Sequence, residues 1–234
     1  MIKAKNIYKS IGNSEILKDI NLELNKGEIN VLFGPSGSGK TTLCRNLSLL
    51  DYPDKGEIEI FNIKYLFPHK EKFDMLPYPK ISFVYQQLFL WPHLTNQQNI
   101  LLALGKNANS DNAEFKELVD FLEIKEILKR YPNEASIGQK QRVAIARALI
   151  LNPDFIFFDE ITSALDIVQT KKIAELIQRL KIKKIGILLV THNLEFFKTV
   201  ADRFIFLQKG SIIEIGNQTM FLHPTTNELK IFLQ

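Results

Sequence analysis

Of 234 residues, 45% are hydrophobic and 24% charged, with 11 Gly, 9 Pro and a single Cys. This excludes collagen-like and low-complexity chains, which need far more Gly and Pro, and disordered chains, which carry fewer apolar residues. One cysteine makes no intrachain disulfide, no apolar run approaches the ~18 residues of a membrane span, and Met1-Ile2-Lys3-Ala4-Lys5-Asn6 lacks the apolar stretch of a secretory signal, so a globular cytoplasmic protein is expected. Lys plus Arg is 30 against 26 Asp plus Glu, a net +4. The small, scattered excess reads as a solvated surface and not as a nucleic-acid site. Its densest run, residues 179–184, ends a helical pattern, where cations are expected without any ligand.

In chain order, residues 17–24, 28–33 and 56–61 read as strands between polar turns, with a helical stretch over 40–49. Between the strand at 28–33 and that helix stands Gly34-Pro35-Ser36-Gly37-Ser38-Gly39-Lys40-Thr41, followed by Thr42. It fits G-x-x-x-x-G-K-[ST] at every fixed position, in the strand–loop–helix context the motif requires. Glycines let successive backbone N–H groups turn toward one anion, and the helix N-terminus adds partial positive charge. Lys40 supplies a point charge for the β- and γ-phosphates of ATP, and the Thr41 hydroxyl can ligate Mg²⁺. Cys44, on the same helix, reads as a buried small side chain.

Residues 81–85, 155–158, 185–190 and 204–207 are apolar runs without alternation, as expected for strands covered on both faces. Over 96–132 the character changes: Phe115, Leu118, Val119, Leu122, Ile127 and Leu128 recur at helical spacing, Asp111 with Glu114 resembles a capping box, and 105–112 reads as a loop. The order predicts one α/β domain over 1–234 with an inserted helical lobe. The strand at 155–158 ends in Asp159-Glu160, at the sheet edge where ligands collect in open α/β sheets. Alone, two such acids read as surface residues. Beside the phosphate-binding loop, Asp159 reads as a Mg²⁺ holder through water and Glu160 as the group that polarises an attacking water.

Further segments resemble one family, the ATP-binding cassette (ABC) ATPases. Ala135-Ser136-Ile137-Gly138-Gln139-Lys140-Gln141-Arg142 is similar to their signature motif, and the run from Glu160 through Ser163 and Leu165 to Asp166 to their Walker B to D-loop segment. Val190-Thr191-His192-Asn193 resembles the switch-histidine loop, Val84-Tyr85-Gln86-Gln87 the Q-loop, and Lys26-Gly27-Glu28 the approach to the P-loop strand. The resemblance covers essentially the whole chain. It implies a mixed or parallel sheet core of P-loop type, an N-terminal antiparallel β subdomain and an α-helical lobe over roughly 88–135. It also implies a dimer of cassettes in which Ser136, Gly138 and Gln139 contact the γ-phosphate of ATP held by a second ABC ATPase subunit. Gln86 would reach the Mg²⁺ and the attacking water, Glu160 would be the catalytic base, His192 would hold the γ-phosphate, and Asp166 would communicate across the dimer.

Three positions depart from the family pattern. Ile137 replaces the first signature glycine, Ile161 replaces a proline, and Ile11 stands near where an aromatic normally stacks on adenine, with Tyr8 three residues earlier. A β-branched residue does not take φ > 0 cheaply, so the loop at Ile137 is either strained or built on ordinary φ. Either base stacking is weaker or Tyr8 takes the aromatic's place, and modest ATP affinity is expected.

Within the family, residues 34–56, Leu90-Trp91-Pro92-His93-Leu94-Thr95 and residues 216–233 resemble ATP-binding subunits of polar amino-acid importers, though Gln98 stands where a glutamate is usual. That resemblance implies a multi-span membrane permease and a solute-binding protein as partners, and a place on the cytoplasmic face of the membrane. A permease helix would dock between lobe and core near residues 86–94, with Leu88, Phe89, Leu90 and Trp91 as anchors. Two alternatives stand beside it: a cell-division type ABC ATPase, and a nucleotide-gated module with weak hydrolysis.

Overall fold

The computed structural model describes residues 1–69, 71, 73–110, 113–163 and 165–234. Its elements are β1 (Ile2–Ile11), β2 (Ser14–Leu24), β3 (Ile29–Phe33), α1 (Lys40–Leu47), β4 (Lys55–Ile60), β5 (Ile63–Phe67), β6 (Ile81–Val84), α2 (Asn96–Leu101), α3 (Ala113–Phe121) and α4 (Ile137–Leu149). They continue with β7 (Phe155–Asp159), α5 (Ile167–Ile182), β8 (Gly186–Val190), α6 (Leu194–Phe197), β9 (Arg203–Gln208), β10 (Ser211–Gly216) and α7 (Asn227–Phe232). Among the described residues the strands form two sheets, ordered β2-β1-β4-β5 and β10-β9-β3-β8-β7-β6. The first is antiparallel throughout; in the second only the β9–β10 pair is antiparallel. This is the mixed sheet core with an antiparallel N-terminal subdomain that the sequence predicts.

The unalternating strands are explained by where each face goes. Ile156 and Phe158 of β7, Ile187 and Leu189 of β8, and Phe204 and Phe206 of β9 face a core shared with α3, α4 and α5. Their neighbours Phe155, Phe157, Leu188, Val190, Ile205 and Leu207 face a second core, closed by α1 and the antiparallel sheet. Burial on both faces is what a parallel sheet between two layers requires.

A polar side chain interrupts this apolar interior. Asn30 in β3 is fully buried, and neither its amide nitrogen nor its amide oxygen has a hydrogen-bond partner. It shares the face of Leu32, which lies in the second core. An unpaired buried amide costs about 1–3 kcal/mol, so Asn30→Val should raise the melting temperature by a few degrees. Thermal unfolding checks this, and a fall in melting temperature would show that the amide is satisfied in solution.

Helix ends differ from the periodicity. The stretch expected over 40–49 stops at Leu47, and the pattern from Phe115 to Leu128 breaks after Phe121 into a 3₁₀ turn at Lys125–Ile127. In both places, and again after α5, the chain closes by a Schellman motif: Leu50, Ile124 and Ile185 donate their N–H groups to the carbonyls of Arg45, Val119 and Leu180. The left-handed residue is Leu49, Glu123 or Lys184, with φ of 56°, 53° and 61°. Glycine is the usual occupant, so the stop signal is missing from the letters. The capping box expected at Asp111 lies outside the described residues, and the segment expected as a loop at 105–112 begins inside a 3₁₀ helix, Leu102–Asn107.

Candidate functional site

The buried strand β3 delivers the chain to the glycine loop at the C-terminal edge of the mixed sheet. Gly34 has φ 148°, and a Cβ there would lie 2.0 Å from the carbonyl oxygen of Leu207; Gly39 has φ 104° and would meet the Ile16 carbonyl oxygen at 2.9 Å. Both positions therefore demand glycine, and the β1–β2 hairpin backs the loop through Ile16, a contact that the motif alone does not reveal. Ser38 N–H donates to the Pro35 carbonyl, whereas the N–H groups of Ser36, Gly37, Gly39, Lys40 and Thr41 have no protein acceptor among the described residues. Gly39 is the N-cap of α1 and offers no side-chain cap, so the positive end of the helix is left to whatever the loop holds.

Lys40 is buried, and its Nζ donates to the carbonyls of Gly34 at 3.0 Å and Pro35 at 2.9 Å. Burial lowers its pKa, and the charges of Glu160 and Asp159 oppose that shift. Thr42 follows it, half-buried on α1, and Cys44 is fully buried, its thiol pushed well up by burial.

The Thr41 hydroxyl lies against the last residue of β7: its Oγ1 is 2.9 Å from Asp159 Oδ2 and 3.2 Å from Oδ1. Burial raises the Asp159 pKa, the Thr41 hydrogen bond pulls it down, and the neighbouring Glu160 pushes it up again. Glu160 turns the chain away from the strand with φ 50° and donates its N–H to the Val190 carbonyl. His192 leaves the end of β8, and its Nε2 lies 2.9 Å from Glu160 Oε1. A cleft of about 390 Å³ opens here, lined by Glu160, Ser163, His192 and Asn193 among others. Gln86, just past β6, donates from Nε2 to Ser163 Oγ at 3.3 Å, one turn after Glu160. The structure thus gathers Lys40, Thr41, Gln86, Asp159, Glu160 and His192 along one sheet edge. Ser163 is the member that the sequence reading did not single out.

The signature residues lie at the start of α4. Ser136 is the N-cap, its Oγ accepting from Gln139 N–H while Gln139 Oε1 accepts from Ser136 N–H. No hydrogen bond joins them to the glycine loop among the described residues. Ile137 is the first helical residue with ordinary φ, so the substitution carries no backbone strain; its side chain is exposed. A Cβ at Gly138 would lie 2.5 Å from Gln169 Oε1 at the start of α5, the far end of a flexible side chain that can swing aside. Asp166 caps α5, accepting from Gln169 N–H at 2.7 Å. Ile161 is buried under the site, while Ile11 is exposed at the end of β1 with Tyr8 half-buried on the same strand.

Among the described residues no cluster of three or more His, Cys, Asp or Glu is arranged to hold a metal, and no helix is long and apolar enough to cross a membrane. A row of free amides and a buried cation after β3, beside a hydroxyl–carboxylate pair that joins α1 to the end of β7 two strands away, is the arrangement of a P-loop nucleoside triphosphatase. Residues 17–163 match the ABC transporter family, and the chain belongs to it. It is 37% identical over 240 residues to the arginine transport ATP-binding protein ArtP of Haemophilus influenzae, covering 99% of this chain and 98% of that one. It is 38% identical over 239 residues to the glutamine transport ATP-binding protein GlnQ of Escherichia coli, covering 100% and 99%. Among solved structures it is similar to the ATP-binding cassette MJ0796 in a dimeric post-hydrolysis state bound to ADP and phosphate. The TM-score there is 0.80 at 34% identity, over 93% of this chain and 99% of that one. The chain is accordingly an ATP-binding, ATP-hydrolysing subunit of the ABC class.

Proposed function

We propose that this chain powers a membrane importer for polar amino acids, working as one ATPase domain over 1–234 with a helical lobe over roughly 88–135. The observation that carries the ATPase half is the placement of Thr41, at the start of α1, against Asp159 at the end of β7, with Glu160–His192 just past the adjacent ends of β7 and β8. The solute class rests on the relatives, whose names include arginine, glutamine, cystine and glutamate transport.

The backbone N–H groups of residues 36, 37, 39, 40 and 41 and the Lys40 ammonium hold the phosphates, with Gly34, Pro35, Ser38 and Thr42 shaping the loop. The Thr41 hydroxyl and Asp159 carboxylate are oxygen donors, as a hard cation such as Mg²⁺ requires, and a buried carboxylate without a cation partner is costly. When bound, Mg²⁺ neutralises charge on the β- and γ-phosphates. Glu160 takes the proton of the attacking water, His192 orients that carboxylate and meets the γ-phosphate, and Gln86 positions the water. Ser136, Gly138 and Gln139 meet the γ-phosphate on a second subunit, and Asp166 lies at that contact.

The permease would seat one cytoplasmic helix near residues 86–94, beside a groove of about 320 Å³ lined by Leu50, Tyr78, Tyr85, Leu102, Ala144 and Arg147 among others; residues 86–94 themselves do not line that groove. Of the four anchors expected from the sequence, Phe89 and Trp91 are exposed, whereas Leu88 and Leu90 pack against the chain's own core. Tyr85 links the groove to Phe89, with ring centroids 5.4 Å apart. The test is to purify the tagged chain from gently solubilised native membranes. A co-purifying multi-span permease, with uptake of a polar amino acid lost on its deletion, is the expected result; a division protein in its place overturns the importer reading while leaving the ATPase chemistry intact.

A further inference from the structure

α4 links the signature to the segment that follows Gln86. It begins at the Ser136 cap, and toward its other end Arg147 reaches back beneath the Q-loop. Arg147 Nη1 donates to the Phe89 carbonyl and Nη2 to the Leu88 carbonyl, both at 2.6 Å. No carboxylate pairs with Arg147 among the described residues, and burial lowers its pKa from the ordinary arginine value. A planar guanidinium presents two parallel N–H groups in fixed geometry, so it can fix two successive carbonyls at once where an ammonium cannot. The backbone it grips is unusual: Phe89 has φ 46°, a left-handed conformation that an aromatic residue keeps only when its surroundings impose it. These carbonyls follow Gln86 by two and three positions. Earlier on the same helix, the buried Gln141 donates from Nε2 to the Ile161 carbonyl, immediately after Glu160.

We propose that Arg147 is a positioning residue for hydrolysis: by clamping the Leu88 and Phe89 carbonyls to α4, it holds Gln86 over the site. The proposal rests on the reading of Gln86 as a group that positions the attacking water. Arg147 itself touches neither nucleotide nor water. Because the helix that carries it starts at the signature, contact with a second subunit at Ser136 bears on Gln86 of the same chain through one rigid element.

The test is a double-mutant cycle of steady-state ATPase activity on the full chain, with Gln86→Ala, Arg147→Met and the pair, alongside melting temperatures. Arg147→Met should lower kcat by about 10- to 100-fold, the scale of a misplaced reacting group, with KM for ATP unchanged. The pair should be no slower than Gln86→Ala alone, because both substitutions remove the same contribution. Losses that multiply, or a kcat unchanged in Arg147→Met beside a slow Gln86→Ala, overturn the proposal. An unaffected Gln86→Ala overturns the reading of Gln86 itself, and the proposal with it. If Arg147→Met does not fold, Arg147→Lys keeps the charge but cannot span both carbonyls; a partial loss, again non-additive with Gln86→Ala, supports the clamp, and wild-type turnover overturns it.

Discussion

Glu160→Gln is expected to reduce ATP turnover at least about 100-fold, the contribution of a positioned general base, while leaving ATP binding intact. Two adjacent carboxylates compete for that role, and geometry separates them. Both oxygens of Asp159 lie within hydrogen-bond reach of the Thr41 hydroxyl, and the group is buried. Glu160 turns out of the strand into the cleft, its side chain 24% exposed, with one oxygen held by His192. Glu160 lines that cleft and Asp159 does not. Glutamine keeps the length, and an amide oxygen can still accept from His192, but it cannot take a proton from water. The Gln variant should therefore bind ATP and stall before hydrolysis, which single-turnover hydrolysis alongside a nucleotide titration would show. A wild type that hydrolyses no faster than this variant would identify a nucleotide-gated switch and not a motor.

The features legible in the sequence are those in which a residue type has one physical use. A lysine after a glycine turn, between a buried strand and a helix, has few roles besides phosphate, and both the loop and Lys40 lie where the spacing predicts. Unalternating runs such as residues 155–158 predict burial on two faces, and the two cores confirm it. The helix stops after Leu47 and Phe121 were hidden because leucine and glutamate occupy the left-handed positions that glycine normally marks. The letters do not mark strands β1, β5 and β10: charged residues interrupt β1, β5 buries only Tyr65 and Phe67, and β10 has no fully buried residue. Ile137 shows the opposite case, a departure from the family letters that the structure absorbs because the helix has already begun there. The braces of Gln141 and Arg147 are long-range bonds from a helix interior to loop carbonyls, and no local pattern encodes such a partner.

Lys40→Ala should weaken ATP binding by roughly 30- to 1000-fold, the equivalent of about 2–4 kcal/mol for removing one partner of a desolvated charge contact. Lys40 is only 6% exposed, and its Nζ spans the Gly34 and Pro35 carbonyls at the mouth of the loop. Removing it takes away the point charge that meets the phosphates and also leaves those two carbonyls without their donor. The rest of the cradle survives, because the φ values of Gly34, Gly37 and Gly39 do not depend on a lysine side chain. The variant should therefore still fold, melting at most a few degrees below the wild type without nucleotide because of the two undonated carbonyls, and lose most of the rise in melting temperature that ATP gives the wild type. The adenine end compensates little. Ile11, exposed at the end of β1, is aliphatic and offers no ring for a base to stack on, and Tyr8 three residues earlier is half-buried. With the base weakly held, the phosphates carry a larger share of the affinity, and the loss should fall toward the upper end of that range. Titration of ATP against both proteins checks the size of the effect; a loss well below tenfold would mean that the backbone amides and the helix terminus bind the phosphates without the lysine.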